Sequence, residues 1–243
     1  NGGNMVLGGE LEIGYLQTVT GYIMQILMST MMIGMAVLQY TRAQASIRRV
    51  FEVLDAESAI TGGGADRLPA PRGRVEFRDV SFRYQTDGTG EDVLKHINLT
   101  VEPGEFVAIV GGTGTGKSSL VNLIPRFYDV HRGQVLVDGL DVRDYPLDGL
   151  RGRIGMVLQN NVLFSGTIRE NLLWGNENAS EEELAQAARD AQAYDFITSF
   201  PDGFDTNLEQ GGVNVSGGQK QRLCIARAMV RKPAVLILDD STS

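Results

Sequence analysis

The sequence has a single cysteine, Cys224, and so no disulfide within the chain. It lies in a stretch with helical spacing and reads as a small buried apolar residue, not a redox group. Basic residues are also in short supply: 22 Lys and Arg stand against 30 Asp and Glu, a net charge of −8. Binding a nucleic-acid backbone draws on clustered Lys and Arg, so this balance argues against such a partner. There is no internal repeat and no low-complexity segment. The chain opens on Asn1 with no signal-peptide pattern before its first apolar run, and it reads as a fragment with sequence missing at both ends. With 42% hydrophobic and 21% charged residues and 30 glycines in 243 positions, the composition is globular, neither disordered nor collagen-like. The length suits one large domain or two small ones.

Charge is missing locally as well. "IGYLQTVTGYIMQILMSTMMIGMAVLQYT", residues 13 to 41, carries none in 29 positions. As a helix this run would extend about 43 Å, more than the roughly 30 Å of a bilayer's hydrocarbon core. Glu10 and Glu12 precede it, and Arg42, Arg48 and Arg49 follow. The positive-inside rule then puts its C-terminal end in the cytoplasm. A buried helix of a soluble protein is the competing reading, which Gln17, Thr18, Thr20, Gln25, Ser29 and Thr30 would suit. In a membrane span the same polar residues imply packing against companion helices or a water-filled path. Met24, Met28, Met31, Met32 and Met35 offer either an adaptable apolar surface or plain helix packing.

Beyond the span, "RAQASIRRVFEVLD" continues as an amphipathic helix with Ile47, Val50, Phe51 and Leu54 at helical spacing. "GGGADRLPAPRG" (62–73) is rich in glycine and proline and marks a linker. The expected organisation is a membrane domain end over 1–55, with the span at about 13–40, a linker over 56–73 and a soluble domain over 74–243. In that domain 74–84 and 94–101 alternate like strands, and "EFVAIVG" (105–111) reads as a short apolar strand. "KSSLVNLIPRFY" (117–128) and "EEELAQAARDAQAYDFI" (181–197) read as helices, the second opened by a Ser180–Glu183 capping box.

The strongest chemical signal is "GGTGTGKSS": Gly111, Gly112, Thr113, Gly114, Thr115, Gly116, Lys117, Ser118 and Ser119. It fits the phosphate-loop (Walker A) spacing G-x-x-x-x-G-K-[ST] and lies between an expected strand and an expected helix. Glycines allow successive backbone N–H groups to point at phosphate oxygens. In such a loop Lys117 bridges the β- and γ-phosphates and the Ser118 hydroxyl ligates Mg2+. A flexible Gly/Thr turn is the plain alternative.

The chain closes on "AVLILDDSTS", an apolar run ending in Asp239 and Asp240. Alone, the pair could be a solvated turn. Behind a phosphate loop, "VLILD" fits the Walker B pattern, a buried strand ending in the metal-side acid Asp239. Asp240 then stands where a water-activating general base would serve.

Between the two motifs, Ser216, Gly217, Gly218 and Gln219 open an expected helix within "VNVSGGQKQRLCIARAMVRKP". S-G-G-Q is weak alone but specific about twenty residues ahead of a Walker B strand. With these motifs the chain resembles the ATP-binding cassette (ABC) transporter family, specifically its exporter-type half-transporters. The resemblance implies a transmembrane helical segment followed by an α/β P-loop NTPase with an antiparallel β subdomain and a helical subdomain. It implies ATP and Mg2+ as cofactors and a multi-pass protein of the cell membrane with its nucleotide-binding domain in the cytoplasm. Its partners would be membrane lipid, an exported substrate of unknown class and a second half-transporter, with no nucleic acid.

Matched residue by residue, the family pattern makes Tyr84 the aromatic that stacks on adenine, against an ordinary strand tyrosine. Gln159 in "MVLQNNVLFSGTIRENL" matches the Q-loop glutamine that contacts Mg2+ and the attacking water. The loop runs on through Phe164 and Ser165, which sense the membrane domain's coupling helices. In the family Ser216 and Gly218 reach the γ-phosphate held by the partner's phosphate loop, so ATP joins two domains head to tail. Their cycle of closure and release moves the membrane helices.

Some positions depart from the pattern. Val215 stands where leucine is commoner in the signature. Asp240 replaces the usual glutamate; one methylene shorter, its carboxylate sits about 1.5 Å back, and a misplacement of order 1 Å can cost a hundredfold in rate. Gln210 falls where an X-loop glutamate is frequent if Gly212 is aligned with the family's glycine, with Glu209 one residue earlier. The D-loop begins at Ser243 and the switch histidine is absent; His96 and His131 read as surface residues. An aspartate at the base position beside an intact signature resembles one half of a heterodimeric exporter. This chain's own site would then be slow, and its signature would complete a fast site on the partner. A homodimer in which Asp240 serves, a regulatory subunit with little turnover and a soluble ABC ATPase are the other readings.

Overall fold

The computed structural model describes residues 13–58, 60–65, 67–84 and 90–239. The chain divides into two units, one ending at residue 59 and the other starting at Ile60.

The first unit is one helix, α1 (Ile13–Leu54), of 42 residues and about 63 Å at 1.5 Å per residue. No proline interrupts it, so the charge-free run and the amphipathic stretch share one axis. Its hydroxyls are satisfied from within: Thr18, Thr20, Ser29 and Thr30 each donate at 2.8 Å to the carbonyl four residues earlier. Such back-bonding lets a hydroxyl sit on an apolar helix without a partner outside it. The helix is long and apolar enough to cross a membrane. Its flanking Glu10 and Glu12 lie outside the described residues.

The second unit opens with an antiparallel sheet. Strands β1 (Val75–Phe82), β2 (Leu94–Val101), β3 (Arg132–Val137) and β4 (Leu140–Asp141) lie in the order β2-β1-β3-β4. β1 is central, with Val75 opposite Val101 on one side and Val137 on the other. Its apolar face (Val75, Phe77, Val80, Phe82) is buried with Leu120, Leu123, Val135, Tyr145 and Ile237 in one hydrophobic core. A parallel pair follows, β5 (Ile154–Val157) against β8 (Val235–Leu238). The helices are α2 (Lys117–Asn122), α3 (Leu147–Arg151), α4 (Ile168–Leu173), α5 (Glu181–Asp190), α6 (Tyr194–Ser199) and α7 (Gly217–Val230). The last four build a second core around Leu163, Ile168, Leu172, Leu184, Ile197 and Leu223. The short pair β6 (Gly166–Thr167) and β7 (Asn207–Leu208) edges it. The irregular residues after Ile60 are tied to the loops beside the sheet: Arg126 donates to the Thr61 carbonyl at 2.9 Å, and Gly63 N to the Tyr145 carbonyl at 2.7 Å. A Cβ on Gly63 would fall 2.2 Å from the Asp144 carbonyl carbon, so only glycine permits this approach.

Four expectations differ. Residues 105–111 form no strand, because among the described residues no neighbouring chain supplies a ladder; Phe106 and Val110 are 89% and 90% exposed. An apolar run supplies strand propensity, but the hydrogen-bonded partner makes the strand. The helix expected over 117–128 stops at Asn122, where Leu123 and Ile124 turn to bond three residues back and Pro125 cannot continue the ladder. The helix over 181–197 breaks into α5 and α6, with Gln192 left-handed at φ 55°. The Walker B strand is half-exposed at Leu236 and Leu238, since among the described residues β8 is laddered on one edge only; Ile237 alone of its residues is buried.

Candidate functional site: a phosphate loop at the strand ends

Gly114 and Gly116 adopt φ of 77° and 87°, left-handed values that cost glycine least. At Gly116 a Cβ would also approach Leu94 Cδ2 to 3.0 Å. These turns curl residues 111–116 into a loop closed by Thr115 Oγ1 donating to the Gly112 carbonyl at 2.9 Å. Helix α2 starts at the next residue, so Lys117 and Ser118 leave its first turn. Lys117 Nζ lies over the loop, donating at 2.8 Å to the carbonyls of Gly111 and Gly112. A cation held across a glycine loop is the arrangement that meets a phosphate chain.

Ser118 Oγ donates to Asp239 Oδ1 at 3.0 Å, across 121 positions of sequence. Asp239 lies just past β8, and its N–H donates to the Val157 carbonyl at the end of β5 at 2.9 Å. Gln159 follows β5 by two residues and is exposed. Asp239 and Gln159 therefore leave the carboxyl ends of adjacent parallel strands, where ligands bind in open α/β sheets. Among the described residues no three His, Cys, Asp or Glu side chains cluster. A hydroxyl beside one carboxylate instead fits a hard cation such as Mg2+, which keeps waters and shares its shell with substrate phosphates. Asp240 lies outside the described residues, as does the D-loop start at Ser243.

Tyr84, 49% exposed, meets Phe82 and Tyr128 edge-on, at 4.9 Å and 5.1 Å between ring centroids. Its hydroxyl pairs with Ser119 Oγ at 2.7 Å. Ser119 is buried, and that bond to the tyrosine is its side-chain contact next to the loop.

Ser216 caps α7 in a closed capping box: its Oγ accepts from Gln219 N, and Gln219 Oε1 accepts from Ser216 N at 2.9 Å. A Cβ at Gly217 or Gly218 would meet nothing within 4 Å, and neither has positive φ. Glycine there lowers helix stability by about 1 kcal/mol relative to alanine. Among the described residues nothing requires it.

A family model described as ABC transporter matches residues 94–243, which include the phosphate loop, the capped signature and Asp239. The chain belongs to the ABC transporter family. An uncharacterised ABC transporter ATP-binding protein of Bacillus subtilis, YfiB, is 45% identical over 244 residues, covering 100% of this chain and 42% of that protein. A second B. subtilis relative, provisionally named multidrug export ATP-binding/permease protein YgaD, is 45% identical over 242 residues, covering 99% and 41%. A solved structure of a bacterial Atm1-family ABC exporter with ATP bound superposes with a TM-score of 0.75 at 35% identity, over 96% of this chain and 40% of that one. The chain thus spans about two fifths of the length of these relatives.

This ABC transporter chain also holds residues that its motifs do not reveal. Asn171 on α4 is 1% exposed; its Oδ1 accepts from Phe164 N at 2.8 Å, and its Nδ2 donates to the carbonyls of Phe164 and Thr167 at 2.9 and 3.0 Å. The signal for it is modest: an asparagine beside Ile168 and Leu172 on the buried side of a helix opened by a Thr167–Glu170 capping box. Trp174, 70% exposed, packs on the Phe164 ring at 5.0 Å. Cys224 is buried, and burial pushes its thiol up, which suits a packing residue and not a nucleophile. His96 is exposed and pairs with Asp79 at 2.6 Å, away from any chemistry.

Proposed function

We propose that this chain is the ATP-binding half of an ABC exporter, in which ATP-driven pairing with a second half-transporter is coupled to export across a membrane. The observation that carries the reading is the 3.0 Å bond from Ser118 to Asp239, which brings phosphate loop and Walker B acid together. Lys117 holds the β- and γ-phosphates of ATP, and Tyr84 stacks on its adenine. Ser118 and Asp239 hold Mg2+, with Gln159 at its rim; bound there, the ion offsets the charge of the phosphates. Asp240 accepts the proton of the attacking water. Residues 1–55 form the end of a membrane domain with its span at about 13–40, residues 56–73 a linker, and residues 74–243 a cytoplasmic nucleotide-binding domain.

Gly217 and Gly218 support a partner docked against the signature, because another body approaching closely explains glycine where this fold does not. We further read Asp240 as the mark of a slow site, which makes a heterodimer the favoured assembly. A subunit that binds ATP and gates its partner without turnover is the second reading, favoured by the same residue.

The test is ATP turnover by the full-length protein in nanodiscs, as it is and with Asp240→Glu. A slow site predicts nucleotide binding with little hydrolysis and a rise of up to roughly a hundredfold with glutamate. Ordinary turnover by the unmodified protein alone, unchanged by the glutamate, would instead make it a homodimer with Asp240 as a working base. If neither glutamate nor a co-expressed partner half restores turnover, the regulatory reading stands.

A further inference from the structure

The segment that follows Gln159 is tied down by a residue to which no motif gives a role. The Val162 carbonyl accepts a hydrogen bond from Arg227 Nη2 at 3.0 Å, and the Arg227 guanidinium lies over the Phe164 ring at 5.8 Å. Arg227 belongs to α7, the helix whose first turn carries Gly217 and Gly218 behind the capping Ser216. On the other side α4 grips the same segment, Asn171 by the backbone of Phe164 and Trp174 by its ring. Val162 lies three positions beyond Gln159, so the point that Arg227 holds is within at most about 10 Å of Gln159 along the chain. Arginine suits this position, because its planar, permanently charged fork can donate to a carbonyl while it stacks on an aromatic face, which a lysine cannot do at once.

We propose that Arg227 is a positioning residue that makes the segment after Gln159 move with the signature helix. A shift of that segment is thereby carried to the helix that presents the signature. The inference rests on the reading of the chain as half of an ABC exporter. What it adds is the part Arg227 plays in holding that segment to the helix.

The experiment uses the full-length transporter in nanodiscs, with its partner half if one is required for turnover, carrying Arg227→Met or Arg227→Lys. Affinity for the fluorescent analogue TNP-ATP, the KM and kcat for ATP, and the melting temperature are measured together. The expected result is unchanged analogue affinity and melting temperature, with kcat down about tenfold in the methionine variant and partly recovered in the lysine variant. Unchanged kcat in both variants would overturn the proposal. So would a parallel fall of affinity, kcat and melting temperature in both, which would make Arg227 a structural prop. Lys117→Ala separates the two levels. If analogue binding survives that substitution, the phosphate-loop reading fails, whatever Arg227 does.

Discussion

At the scale of single residues, the site divides into groups that a motif encodes and groups that only folding brings together. Lys117, Ser118 and Asp239 are legible because their chemistry demands a fixed spacing to the loop and the strand end. The Tyr84–Ser119 bond is not, because it joins two hydroxyls 35 positions apart and neither motif requires it. Through that bond the Ser119 side chain steadies the Tyr84 ring, the one proposed to stack on adenine. Tyr84→Phe and Ser119→Ala should each weaken ATP binding by about fivefold, the worth of one hydrogen bond of about 1 kcal/mol. The double variant should lose little more than either single one. Titration of the three variants with TNP-ATP checks this. Full additivity would mean that the two hydroxyls act on the nucleotide separately.

At the scale of elements, strand and helix patterns are read well wherever the partner element is implied by the pattern itself. β1 and β2 form where their alternation puts them: they pair edge to edge, and Val75, Phe77, Val80 and Phe82 of β1 with Leu94 of β2 turn to the core shared with Leu120 of α2. Residues 105–111 depart from theirs since apolar content says nothing about which chain lies alongside. The break between α5 and α6 is hidden because left-handed Gln192 is a non-glycine residue, which the pattern gives no reason to expect. Asn171 shows what a single polar side chain can do for an element: it satisfies both backbone groups of Phe164, as an adjacent strand would. Asn171→Ala would remove the side-chain partner of the part-buried Phe164 N–H and carbonyl, at about 1–3 kcal/mol. Chemical denaturation of the full-length protein should therefore give a lower midpoint for the unit that holds α4. An unchanged midpoint would show that water replaces the amide fully.

At the scale of the whole molecule, acid should loosen the second unit before base does. Burial pushes the Asp141 carboxyl up, but hydrogen bonds from the Arg143 side chain and backbone pull it down further, to a net value below the usual aspartate range. Hydrogen bonds from Arg169 lower Asp205, and Lys232 lowers Glu183. A carboxyl depressed in the folded state stabilises it above the unfolded pKa, and that contribution is lost as pH falls through the folded value. Melting temperature should thus be flat near pH 7 and fall below about pH 4, the ordinary aspartate range, with Asp141→Asn shrinking the difference between the two. A melting temperature insensitive to acid in the unmodified protein would contradict this. A different consequence follows from β5. Ile154 packs in the core of the antiparallel sheet, Val157 in the core of the helices, and the four-residue strand between them is laddered to β8. A strand rooted in both halves cannot slide without shearing its ladder. β5 thus joins the two cores through one short strand, and its carboxyl end holds the Asp239 N–H at the Val157 carbonyl.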